Sequence, residues 1–132
     1  MTPLIASLLF YYQQIALGST SPAIIKDFIA TEATIAGVNP TLAINIATDE
    51  SGLNPKEIGD FGTSFSLFQI HLPAHQDISK KQAQDIIFNV EWSMAEMKKN
   101  GCTAWSTCNE AKSQLNAVQS LTDLSKSPTD GT

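Results

Sequence analysis

Arginine is absent from this chain of 132 residues: its eight basic residues are all lysine, set against thirteen Asp and Glu for a net charge of −5. Nucleic-acid binding asks for a basic face, and no window of the sequence supplies one. The same balance gives no electrostatic pull toward anionic lipid headgroups or anionic polymers. Cysteine is nearly absent too, with Cys102 and Cys108 alone in "GCTAWSTC". That spacing excludes CxxC redox and zinc sites. His71 and His75 stand four apart, but Pro73 between them breaks any shared helix face, so no metal site is expected. Long apolar runs are missing as well. "PLIASLLFYYQQIAL" is too short for a membrane-spanning helix, and no repeat or linker divides the chain.

What is present fits one globular domain with a modest core: 42% hydrophobic and 16% charged residues. Leu4 to Leu17 has two readings. One is the apolar core of a signal peptide over residues 1–18, with Ala16 and Gly18 suited to cleavage. The other is a first amphipathic helix with Ile5, Leu8, Leu9, Tyr12 and Ile15 on one side. "STSPAIIKDFIATEATIAGV" reads as a helix capped by Ser21, begun by Pro22 and ended by Gly37, with Ile24, Ile25, Phe28 and Ile35 as its apolar face. Asn39 and Pro40 open the next helix, "TLAINIATDE", and Gly52 with Pro55 closes it. Residues 51–66 carry turn residues and read as a loop or short irregular hairpin. "FSLFQIH" fits a strand or a buried helical turn. "DISKKQAQD" and "IIFNVEWSMAEMKKNG" read as helices, the second ended by Asn100 and Gly101. Residues 110–132 read as a weak helix (Leu115, Val118, Leu121) running into a flexible tail. The fold class expected is mainly α.

One residue breaks the pattern. Leu42, Ala43, Ile46 and Ala47 form the apolar stripe of the third helix, and Glu50 continues it, whereas Asn45 and Asp49 fall on the wet side. Burial disfavours a charged carboxylate and raises its pKa. Keeping such a group protonated near neutral pH costs a small domain roughly 3 kcal/mol, and it is what a general acid requires. The plainer reading is a helix-end glutamate that bends back onto loop amides. The following loop is rich in small residues (Ser51, Gly52, Gly59, Gly62, Ser64) that let a ligand approach the backbone. It also holds Asp60, either a turn former or a second carboxylate across a cleft, and two carboxylates flanking a cleft suffice for glycoside cleavage.

"ESGLNP" followed by "GDFGTSFSLFQIH" resembles the lysozyme-like superfamily, especially bacterial lytic transglycosylases and goose-type lysozymes. Those proteins read E-S-x-x-(N-P) and then G-x-x-x-G-L-M/F-Q-I/V. "NVEWSMAEMKKNG" is similar to their N-I-x-x-G-x-x-Y-L segment, and the likeness covers roughly residues 22–108, within an expected domain of residues 19–109. The resemblance implies a lysozyme-like fold in which Glu50 is the general acid and base and Ser51 helps position it. It also implies that Phe68 and Gln69 line a glycan cleft and that Asp60 positions water. The activity implied is cleavage of the MurNAc-β-1,4-GlcNAc bond of peptidoglycan, by a lytic transglycosylase or by a hydrolytic muramidase using Asp60. A catalytically silent glycan-binding envelope module is the rival from another class. No cofactor, no metal and no protein partner is implied. The expectation is a monomer acting on peptidoglycan strands, exported or associated with the cell envelope. Ser66 stands where the pattern has glycine, His71 where goose-type proteins often have aspartate, and no tyrosine follows Tyr12. Trp105 fits either a sugar-stacking or a core role, and Trp92 reads as core. Cys102 and Cys108 fit either a local disulfide, adding roughly 2 kcal/mol by the loop-entropy model, or two separate thiols.

Overall fold

A computed structural model describes residues 2–126, with side chains through residue 124. It is mainly helical with one small antiparallel sheet. Helix α1 (Pro3–Ala16) starts where the Thr2 hydroxyl accepts the Ile5 N–H, with Pro3 in the first turn. Helix α2 (Pro22–Ala36) follows Ser21 and stops at Gly37, whose φ of 77° is the left-handed geometry that glycine adopts without steric cost. Helix α3 (Pro40–Ser51) begins where Asn39 Oδ1 accepts the Leu42 N–H at 3.0 Å and ends at Gly52. The Pro and Gly signals of the sequence thus mark both ends of α2 and α3. The core is built where α2, α3 and helix α5 (Ile86–Asn100) meet, on Ile25, Phe28, Ile29, Ala43, Ile46 and Val90.

α1 lies on α2, with Leu8 in the core and Tyr12 and Ile15 packed against it. Ile5 and Leu9, expected on its apolar side, are exposed by 41% and 48%. On α2 the buried stripe runs through Ile25, Phe28, Ile29 and Ala33, while Ile35 stays exposed. Glu32 takes a place on that stripe, only 7% exposed. Glu91 on α5 faces it, so the position is closed by a second carboxyl group, with no apolar partner needed.

The segment after α3 is a three-stranded meander. β1 (Ile58–Gly59), β2 (Ser64–Phe65) and β3 (Ile70–His71) pair antiparallel in the order β1-β2-β3. The register sets Gly59 opposite Ser64 and Ser64 opposite His71, one row across the sheet. A 3-10 turn over Asp60–Gly62 joins the first two strands, and its three residues all have positive φ (49°, 56° and 93°). A second 3-10 turn (Leu72–Ala74) leads toward helix α4 (Lys80–Gln84), which Ser79 and Gln82 close with a capping box. "FSLFQIH" is therefore neither a strand nor a helical turn throughout: it is β2, a tight turn at 66–69, and β3.

After α5 a disulfide joins Cys102 and Cys108, with Cα atoms 5.4 Å apart. Helix α6 (Cys108–Lys126) begins at the second cysteine and buries Ala111 against α3. It is the longest described helix, where a weak one was expected, and the expected boundary at 109/110 falls inside its first turn. Val118, Leu121 and Leu124 on it are exposed. The remainder of the expected tail, 127–132, lies outside the described residues.

Candidate functional site

α3, the meander and the disulfide loop converge on one cleft. Glu50 stands on one wall, at the last turn of α3. Asp60 comes from the turn after β1 and His71 from β3, His75 and Trp92 from the segments beside the sheet, and Ala104, Trp105 and Ser106 from inside the disulfide ring. Of the residues expected in a site, Glu50, Asp60, Gln69 and Trp105 line this cleft together. Ser51 and Phe68 do not. Ser51 is buried, its hydroxyl 2.9 Å from Ala47 O and 2.8 Å from Leu67 O, so it ties the end of α3 to the 66–69 turn. Phe68 is wholly buried beneath the cleft. Both are buried behind the wall and are not among the residues lining the cleft, where the resemblance set them.

Glu50 is half-buried. Burial pushes its carboxyl pKa up, and the charges of Asp60 and Asp49 push the same way. The Thr107 hydroxyl, donating to Glu50 Oε2 at 2.8 Å, opposes them by favouring the ionised form. The helix-end glutamate thus bonds a side chain of the disulfide loop, not the amides of the loop that follows it.

The wall behind Glu50 is held by hydrogen bonds that pull the 66–69 turn inward. Asn89, fully buried on α5, accepts the Phe68 N–H and donates to Phe65 O and Ala83 O, each at 2.9 Å. Trp105 Nε1 donates to Phe68 O at 2.8 Å, and its ring meets Phe68 and Trp92 edge-on. Trp105, 7% exposed, thus packs on the core and lines the cleft. Trp92 does so as well, with His75 edge-on at 4.6 Å between ring centroids. Gln69 spends its amide N–H groups on Glu57 O and Ser66 O, which leaves Oε1 as its free polar atom. A Cβ at Gly59 would come within 2.4 Å of that oxygen, so the glycine is what lets Gln69 lie there.

Across the cleft, Ser64 Oγ donates to Asp60 Oδ2 at 2.5 Å and stands 2.9 Å from His71 Nδ1. Among the described residues no group of three His, Cys, Asp or Glu side chains is placed to hold a metal ion. Thr107 is a site residue that no sequence pattern singles out. Ser64 and His75 show in the sequence only as a small loop residue and as half of a histidine pair broken by Pro73, and Asn89 only as the first residue of the N-I-x-x-G pattern. No protein-family model, no curated protein and no solved structure matches this chain.

Proposed function

We propose that this protein cleaves the glycan strands of peptidoglycan at the MurNAc-β-1,4-GlcNAc bond, with Glu50 as the proton donor. The observation that carries the reading is Glu50 itself: a half-buried carboxyl with raised proton affinity on the wall of a cleft that also holds Asp60. The half-buried indole of Trp92, with the exposed part of Trp105 beside it, gives that cleft apolar surface of the kind against which sugar rings pack. The lysozyme-like resemblance of "ESGLNP" and "GDFGTSFSLFQIH" points the same way. The Cys102–Cys108 disulfide is in keeping with an exported or envelope protein, because such bonds persist in oxidising compartments.

In the lytic transglycosylase route, Glu50 gives its proton to the leaving O4 as the C1–O4 bond breaks. The Glu50 carboxylate then takes the proton of the muramyl 6-hydroxyl while O6 bonds C1, leaving a 1,6-anhydro ring and a reprotonated Glu50. A hydrolytic muramidase is the second reading, favoured by the polar cluster at Asp60 on the same cleft. Digestion of purified sacculi by the wild type and by Glu50→Gln, with the released ends weighed by mass spectrometry, tests both. Wild type is expected to release anhydro ends in the first case and reducing ends in the second, and Glu50→Gln to be slower by about 10²- to 10⁴-fold. Binding to sacculi with no release would make the chain a glycan-binding module, and equal rates would remove Glu50 from the chemistry.

A further inference from the structure

Asp60, Ser64 and His71 form a hydrogen-bonded chain that proton donation by Glu50 does not use. Sheet register builds it: Ser64 and His71 are cross-strand partners on β2 and β3, and the left-handed turn after β1 folds Asp60 back toward them. Ser64 has one hydroxyl proton, and the Asp60 carboxylate, which only accepts, takes it at 2.5 Å. Ser64 therefore presents lone pairs to His71 Nδ1, 2.9 Å away. The Thr63 hydroxyl, 3.5 Å from the same nitrogen, has likewise given its proton elsewhere, to Asp60 O at 2.7 Å. Nδ1 thus faces acceptors only, Asp60 Oδ2 at 3.5 Å included, and must itself carry a hydrogen. In the neutral ring that leaves Nε2 bare, a proton acceptor on a side chain lining the same cleft as Glu50.

We propose that His71 Nε2 is the base that activates water for attack on the glycosidic carbon, with Ser64 and Asp60 as positioning residues that fix its tautomer. The inference rests on the hydrolytic reading of the proposed function and deepens it. Water oxygen bonds C1 as the C1–O4 bond breaks. Its proton passes to His71 Nε2 while the Glu50 proton passes to O4. The imidazolium so formed is stabilised by Asp60 through Ser64, and solvent returns the proton to Glu50 to complete the cycle. Asp60, whose Oδ2 is committed to Ser64, acts at one remove from the water.

The test uses the full chain and soluble, uncrosslinked peptidoglycan strands, with His71→Ala, His71→Gln and Asp60→Asn beside the wild type, each with and without sodium azide. Azide is already anionic and attacks without a base, whereas a residue that merely pins β2 to β3 could not be replaced by it. The wild type is expected to release reducing ends. Both His71 variants should lose about 10²- to 10⁴-fold in kcat with little change in KM, and azide should restore turnover and appear as a glycosyl azide. His71→Gln keeps a polar side chain next to Ser64, so it covers the case in which the alanine variant misfolds. Wild-type turnover in the His71 variants, or a loss that azide does not repair in a variant with native circular dichroism, would overturn the role of His71. Exclusive anhydro ends from the wild type would overturn it too, while leaving Glu50 as the acid. No cleavage by the wild type would sink the glycosidase reading itself and this inference with it.

Discussion

Opposing neighbours set the proton affinity of Glu50. Burial, Asp60 and Asp49 raise its pKa, and the Thr107 hydroxyl lowers it. Removing a neighbour on either side should therefore move the titration in a known direction. In an NMR titration of the Glu50 carboxyl carbon, Thr107→Val is expected to shift the midpoint upward and Asp60→Asn to shift it downward; a shift of either in the other direction would refute this balance. Ser66 is a second residue whose surroundings fix a sign. It stands at φ 68°, wholly enclosed, with its hydroxyl unpaired. Left-handed geometry costs a residue with a Cβ roughly 1–2 kcal/mol, and an unpaired buried hydroxyl costs about 1–3 kcal/mol. Glycine would relieve both at the expense of about 0.5–1 kcal/mol of chain entropy. Ser66→Gly should accordingly raise stability by about 1 kcal/mol or more in urea denaturation, and a lowered midpoint would contradict this. Glycine is also the residue that the lysozyme-like pattern has at this place, so the departure noted in the sequence is a strained position in the fold. Ser93, the other buried residue with an unpaired hydroxyl among the described residues, stands at the glycine of the N-I-x-x-G pattern.

At the scale of elements, one side chain makes two of the bonds that tie the meander to the rest of the fold, and a third to α4, beside those of Ser51 and Trp105. Asn89→Ala would leave Phe68 N–H, Phe65 O and Ala83 O without their partner. At about 1–3 kcal/mol per buried group, the variant should lose about 3 kcal/mol or more of stability; a loss below about 1 kcal/mol in chemical denaturation would show that the turn finds other partners. The helices α2 and α3 are legible in the sequence because Pro22, Gly37, Asn39, Pro40 and Gly52 punctuate them. The meander is not, because strands of two residues are too short to show alternation. α6 was hard to read for another reason: beyond Ala111 its apolar positions Val118, Leu121 and Leu124 are exposed, so periodicity there reports little burial. Glu50 was readable because it continues an apolar stripe. Thr107 was not, because its bond to Glu50 joins positions 57 apart in the chain, which leaves no local spacing to detect.

At the scale of the molecule, a second carboxyl group is enclosed away from the cleft. Glu32 is held by burial first, then by its hydrogen bond to Glu91 and the Glu91 charge, and its pKa rises from 4.5 to about 8. The Tyr12 hydroxyl of α1 also donates to Glu91, joining three helices at one polar contact. Between the unfolded and folded pKa values the native state binds more protons than the unfolded chain, so stability declines as pH rises through that window. The melting temperature should fall from pH 5 to pH 9, and Glu32→Gln, which cannot ionise, should flatten that slope; equal slopes in the two proteins would exclude Glu32 as its source. The disulfide divides the molecule differently. Trp105 and Thr107 lie inside the ring that Cys102 and Cys108 close, whereas Asn89, the meander and α2 are anchored without it. A thiol reductant is therefore a selective chemical probe of this protein. Opening one covalent bond is expected to loosen a wall of the cleft and the hydroxyl that tunes Glu50, while the meander and α2 keep their own anchors.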